Sequence, residues 1–292
     1  MSTIMFNLNG SSWRFVKYAN VRFDRKLQDD ISFHDNIKDL NASVYSHMVG
    51  SEQKLEDGVE SNILDVIENY LLNNQSPLCG SVLTIIMKRN PIRNNTERLV
   101  QLLQDNHIML RIVGSDQMLG GSDSMIMYNM AVQTNGLYIF TYSQYTDVFY
   151  NSFKWAVYSP TSSFLFYAQN IAVTGKGTLG LPSFLISGQD FVILVNTEMN
   201  VQNHGLTDEI NTIQLFVGNQ SSGFSLEIDC NKWTLRNQTV QFGGSDLMTN
   251  ISQPVSLNYD YKTDNIQKLE FRFWSTIAPS DWLAYPTGYL LN

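Results

Sequence analysis

The chain has 292 residues, of which 43% are apolar and 12% aromatic, enough apolar surface for two separate cores. Its net charge of −8 argues against a nucleic-acid backbone or an anionic membrane as partner. Only 16% of residues are charged, so much of the surface must be Asn, Ser, Thr and Gln; no window approaches the ~20 apolar residues of a membrane helix.

The first ten residues lack the basic start and apolar run of a signal peptide, and residues 1–20 carry little pattern. Residues 18–23 read as a short strand ending at Asp24. Ile31, Phe33, Ile37 and Leu40 suggest a strand running into a short helix, with loop or helix over 41–55. Residues 57–61 introduce an amphipathic helix: Ile63, Leu64, Val66, Ile67, Tyr70 and Leu71 share one face, while Asp65, Glu68 and Asn69 share the other.

From 81 to 141 the chain reads strand, helix, strand, helix, strand. Residues 81–87 form an apolar run rich in branched side chains, as expected of a strand covered on both faces. Asn94-Asn-Thr96 is an N-cap cluster for a helix carrying Leu99, Val100, Leu102 and Leu103, which His107 closes. A strand over 108–113 follows. Residues 114–121 then turn toward a helix capped by Ser122 or Ser124, lined by Met127, Tyr128, Met130 and Ala131, and ended by the pair Asn135-Gly136. Residues 137–141 give the third strand. Strands joined by single helices are parallel neighbours, so this half is expected to be a doubly wound, Rossmann-like α/β sheet.

Ligands of such sheets sit beyond the carboxyl ends of the strands, here Lys88-Arg89, residues 114–117 and Tyr142-Ser143. No phosphate loop and no Gly-x-Gly-x-x-Gly follows a strand. Gly120-Gly121 could hold an anion on backbone amides, but reads better as a tight turn.

Val148, Phe149, Phe153 and Trp155 suggest a closing helix over 146–158. The turn cluster 159–163 then sets a boundary between a domain over 1–158 and one over 164–292. Beyond it the period is two: runs at 164–167, 171–173 and 191–195, and alternation at 224–228, 255–261 and 269–273, predict an antiparallel β-sandwich. Trp282, Tyr285 and Tyr289 are expected to pack over one end of it.

Cys79 and Cys230 lack metal-ligand spacing and read as buried free thiols, with a disulfide between the domains as the alternative. None of His34, His47, His107 and His204 accompanies a nucleophile motif. The pairs Asp29-Asp30 and Asp208-Glu209 read as solvated loop rather than a catalytic acid and base. Exposed tyrosines with Trp274 and Trp282 could form a sugar-stacking platform, although rim packing is the plainer reading. There are seven Asn-x-Ser/Thr sequons, at Asn9, Asn41, Asn74, Asn94, Asn219, Asn237 and Asn250; Asn41, Asn94, Asn219, Asn237 and Asn250 are the glycosylation candidates.

Several phrases resemble a large nematode family of uncharacterised secreted-type proteins. They are Cys79-Gly-Ser-Val-Leu-Thr-Ile85, Lys88-Arg-Asn-Pro91, Leu103-Gln-Asp-Asn-His-Ile108, the run from Met127 to Gly136, and the run from Gly175 to Phe184. In that family a degenerate von Willebrand factor A-like domain precedes a C-terminal β-sandwich. The resemblance implies an incomplete A-domain sheet and an extracellular location, although this chain shows no signal peptide. A-like domains grip a metal through Asp-x-Ser-x-Ser, a Thr from a second loop and an Asp from a third. Asp-x-Ser-x-Ser is missing here, and Asp116, at the third-loop position, offers a single oxygen donor where Mg²⁺ wants near-octahedral oxygens. The sequence therefore implies no metal and no cofactor. Its start is expected either to be truncated or to hold a degenerate first strand within residues 4–8.

The expected function is non-enzymatic recognition or adhesion toward a protein or carbohydrate. A scaffold without a discrete ligand ranks second and a glycan-acting hydrolase third; the oligomeric state is left open.

Overall fold

A computed structural model describes residues 15–47, 55–92, 95–115, 117–123, 125–141, 164–185, 193–202, 210–218, 224–228, 239–248, 252–275, 277–286 and 288–291. The chain divides into two compact units, Met1–Tyr158 and Ser159–Asn292.

The first unit opens with strands β1 (Tyr18–Asn20) and β2 (Ser32–His34), paired antiparallel. Asn20 Oδ1 and His34 Nε2, 2.8 Å apart, join the hairpin's two ends. Helix α1 (Ile37–Ser46) starts where Asn36 Oδ1 accepts the N–H groups of Lys38 and Asp39, both at 3.0 Å. Helix α2 (Ile63–Leu71) buries Ile63, Leu64, Val66, Ile67 and Leu71, the face its spacing predicts.

Strands β3 (Val82–Met87), β4 (Met109–Ser115) and β5 (Leu137–Thr141) then form a three-stranded parallel sheet in sequential order. Helix α3 (Glu97–Asp105) lies between the first two strands in sequence and helix α4 (Met125–Gln133) between the last two. α4 packs on β4 and β5, and α2 against α3. These are four helices among the described residues, and the arrangement is mixed α/β.

Two local expectations need correction. β3 is not covered on both faces: Val82 (37%), Thr84 and Ile86 (39%) are exposed while Ile85 and Met87 are buried. Among the described residues it is an edge strand, and the face that carries Val82, Thr84 and Ile86 lacks the cover that two-sided burial requires. Thr96 precedes α3 but its side chain makes no cap bond, and its ψ of 0° is not the extended geometry of a capping residue. Asn94 lies outside the described residues. At the start of α4 the Asp123 Oδ1 accepts the Met125 N–H at 2.8 Å; Ser124, one of the two expected caps, lies outside the described residues.

Both helix ends before strands are left-handed. His107 has φ 52° and Ile108 N–H returns to Leu103 O at 2.8 Å; Asn135 has φ 57° and Gly136 N–H returns to Ala131 O at 2.8 Å. Gly136 is needed for room, since a Cβ there would lie 1.8 Å from Leu110 O.

The second unit is an antiparallel β-sandwich. Its strands are β6 (Phe164–Val173), β7 (Lys176–Phe184), β8 (Ile193–Gln202), β9 (Ile210–Val217), β10 (Phe224–Ile228), β11 (Val240–Met248), β12 (Gln253–Tyr261), β13 (Gln267–Ser275) and the short β14 (Leu290–Leu291). One sheet runs β10-β9-β12-β7 and the other β11-β8-β13-β6-β14, the last pair being parallel. Alternate residues from both sheets, such as Leu215, Leu257 and Tyr259 from one and Met199, Phe271 and Phe273 from the other, make a single apolar core. The expected helix over 146–158 and the boundary cluster 159–163 lie outside the described residues.

Candidate functional site

The carboxyl ends of β3 and β4 are where an α/β sheet offers a ligand site. Here three loops are zipped together there by main chain. Gly58 N–H donates to Leu119 O at 2.7 Å, Leu119 N–H to Lys88 O at 2.7 Å, Asn90 N–H to Gly120 O at 2.8 Å, and Ser61 N–H to Asn90 O at 2.8 Å. Buried Arg89 locks the outermost loop by donating to the carbonyls of Leu55, Glu56 and Val59 at 2.7–3.0 Å. Gly120 and Gly121 are the condition for this closure. A Cβ on Gly120 would sit 1.9 Å from Val59 O, and Gly121 has φ 73°. The glycine pair therefore serves close backbone approach, as the tight-turn reading expects, and Gly120 offers a carbonyl rather than an anion cradle.

Asp24 stands beside this clasp with φ 60°. Its Oδ1 accepts from Ser61 Oγ at 2.6 Å and Asn62 N–H at 3.2 Å, and Ser61 Oγ in turn accepts Ile63 N–H at the start of α2. Burial pushes the Asp24 carboxyl above its ordinary value, against the Ser61 and Asn62 hydrogen bonds and the Arg89 charge, which pull it down.

An open cleft of about 530 Å³ lies elsewhere in the first unit, between the β1–β2 hairpin and α2. Val21, Ile31, Phe33 and Val66 supply apolar lining; Gln28, Asn69, Asn73 and Gln75 supply carboxamides; Asp29 and Asp30 supply carboxylates. Arg22 grips Asp29 with two donors, Nε to Oδ2 at 2.5 Å and Nη2 to Oδ1 at 3.2 Å, and its Nη1 donates to His47 O at 3.0 Å. The acidic pair singled out from sequence is thus in a cleft, with one member committed to an arginine.

The outer face of the five-stranded sheet is a third polar region, and sequence alternation gave no sign that it would be buried. Asn170, Glu198, Asn200, Gln202, Glu270, Arg272 and Trp274 are all buried, Asn200 and Arg272 to 0% exposure. Glu270 accepts from Gln202 Nε2 at 3.0 Å and from the Tyr289 hydroxyl at 2.9 Å, and Arg272 donates to Asn170 Oδ1 at 2.9 Å. The amide atoms of Asn200 have no hydrogen-bond partner.

Asp116, Asn94, Asn219, Asn237, Asn250, His204, Cys230 and the pair Asp208-Glu209 lie outside the described residues. Asn41 sits half-buried inside α1. Cys79 is free but exposed, against the expectation of burial: it belongs to the turn before β3, not to the core. Trp274 and Trp282 form no joint platform. Trp274 is buried and donates to Glu198, whereas Trp282 is 60% exposed rather than packed down. Among the described residues no three His, Cys, Asp or Glu side chains gather to hold a metal. No helix among them is long and apolar enough to cross a membrane.

A family described as Domain of unknown function (DUF7154) matches residues 169–276, from within β6 to just past β13 and less than half of the chain. No curated protein matches. Three solved structures are similar at low depth. A carbohydrate-binding module (CBM6cm-2) from Cellvibrio mixtus lichenase 5A, in complex with cellotriose, is 8% identical over 39% of this chain and 90% of its own, with TM-score 0.24. The acidic stable capsid of Helicobacter pylori bacteriophage KHP30 is 10% identical over 39% and 90%, with TM-score 0.26. A family 16 carbohydrate-binding module is 7% identical over 35% and 70%, with TM-score 0.20. Likenesses this shallow carry no argument about ligand or activity.

Proposed function

We propose that the protein is a non-enzymatic recognition protein that binds a glycan, without a metal, through the cleft between the β1–β2 hairpin and α2. The observation that carries this reading is the cleft's lining: apolar groups for the C–H face of a sugar ring, set among carboxamides and a carboxylate that suit hydroxyls. Hydrolysis is disfavoured because a glycosidase needs two available carboxyls flanking the bond, and Asp29 is already gripped by Arg22.

In the same reading the first unit is a degenerate, doubly wound von Willebrand factor A-like domain, and the domains divide at residues 1–158 and 164–292. The alternation of α2, β3, α3, β4, α4 and β5 with parallel pairing supports it. The sewn-up loops at the sheet's carboxyl ends are the reason to look for the ligand in the cleft instead.

The test is binding of the full chain to a panel of immobilised glycans, with and without a chelator, alongside an assay for reducing ends released. Binding that survives chelation without cleavage is expected. Failure to bind any glycan, or cleavage of one, overturns the reading.

A further inference from the structure

We infer that the cleft selects a sugar residue bearing a free amine, its ammonium pairing with the Asp30 carboxylate; this rests on the glycan-recognition reading above. Among the described residues, Asp29 and Asp30 are the only charged ones lining the cleft. Asp29 is held by Arg22 through both oxygens, and the third donor of Arg22 is committed to His47 O, so this guanidinium is not free to turn to Asp30. Asp30 is exposed and makes no hydrogen bond or ion pair.

The carboxamides divide in the same way. Asn73 is spent on the turn after α2: its Oδ1 accepts the N–H groups of Gln75 and Ser76 at 2.9 and 3.0 Å, and its Nδ2 donates to Tyr70 O. The side chains of Gln28, Asn69 and Gln75 are exposed and have no such commitment. A ligand therefore meets one anion without a counter-charge, three free amides and an apolar floor that includes Phe33. With Asp29 offset by Arg22 and by Arg25, whose Nε lies 3.9 Å from Asp29 Oδ1, the Asp30 carboxylate is what disfavours a sulfated, phosphorylated or carboxylated sugar and attracts an ammonium. A lysine of a protein partner offers the same ammonium but not the ring hydroxyls the three amides would take.

The experiment is calorimetric titration of the full chain and its Asp30→Asn variant with a glucosamine tetramer, its N-acetylated counterpart and a tetralysine peptide. Asp30 is a surface residue, and circular dichroism of the variant checks that it is folded. The wild-type chain is expected to bind the free-amine tetramer about fivefold more tightly than the acetylated one, as an exposed charge pair provides, and the variant to lose that margin. Equal affinity for the two tetramers, a margin that survives Asp30→Asn, or tightest binding of tetralysine each overturns the inference. If the acetylated tetramer binds as well as the amine, glycan recognition itself stands; if neither tetramer binds, the inference falls, and the glycan panel alone decides recognition itself.

Discussion

Trp274 donates its indole N–H to Glu198 Oε2 at 2.9 Å, and both side chains are buried on the outer face of the five-stranded sheet. A buried carboxylate is tolerable only when its oxygens are hydrogen-bonded, so this bond is part of what allows a polar layer to be enclosed there. Trp274→Phe keeps an aromatic ring and removes the donor. It is expected to cost about 1.5–3 kcal/mol, the range for a hydrogen bond to a charged group, read as a lower midpoint in urea unfolding of the full chain.

That layer also shows where sequence reasoning ended. In β13 the alternation of Leu269, Phe271 and Phe273 with Glu270 and Arg272 finds the strand and its core face. The same alternation implies that the polar face meets water, and period-two patterning says nothing about what is laid over it. In β8, the core positions Val195, Met199 and Val201 alternate with Asn196, Glu198, Asn200 and Gln202. The apolar run that marks this strand in the sequence ends at Val195, although the inward spacing continues through Met199 and Val201 and the strand runs to Gln202. The helices of the first unit were more legible, since a buried stripe such as Ile63, Leu64, Ile67 and Leu71 repeats at the helical period. The cleft was not, because it is assembled from segments about forty residues apart; Asp29-Asp30 was its only local signal.

Glycine substitutions should separate positions that need room from positions that do not. A Cβ at Gly136 would lie 1.8 Å from Leu110 O, and one at Gly120 1.9 Å from Val59 O, in both cases against backbone that cannot rotate away. Gly136→Ala and Gly120→Ala are each expected to cost at least the ~1–3 kcal/mol of an overpacked site. Nothing lies within 4 Å of a Cβ at Gly180, so Gly180→Ala should be neutral or stabilising by up to about 1 kcal/mol. Thermal unfolding of the three variants checks the ordering.

Arg22 uses three different nitrogens, two on Asp29 and one on His47 O, and so ties the segment after β1 to both the cleft wall and the end of α1. An ammonium cannot reproduce a two-pronged grip. Arg22→Lys should therefore cost about 1–2 kcal/mol even though charge is conserved, and should raise amide hydrogen exchange in α1 above that in α4. Equal exchange in the two helices would contradict this linkage.

Asp24 supplies the pH prediction. Its folded carboxyl titrates above the ordinary 3.8, chiefly because burial disfavours the charged form. Between 3.8 and the raised folded value, the folded chain binds more protons than the unfolded one at this site. Stability from this site is therefore greatest at or below the ordinary value and declines as pH rises through the window, so ionised Asp24 is a net cost at neutral pH. Asp24→Asn retains an oxygen for Ser61 and Asn62, and asparagine tolerates the positive φ. The variant should be more stable than wild type at pH 7, and its advantage should shrink as pH falls toward 4. The check is the difference between the two urea midpoints across that range; an advantage that grows on acidification would mean that the Ser61 and Asn62 bonds and the Arg89 charge outweigh burial.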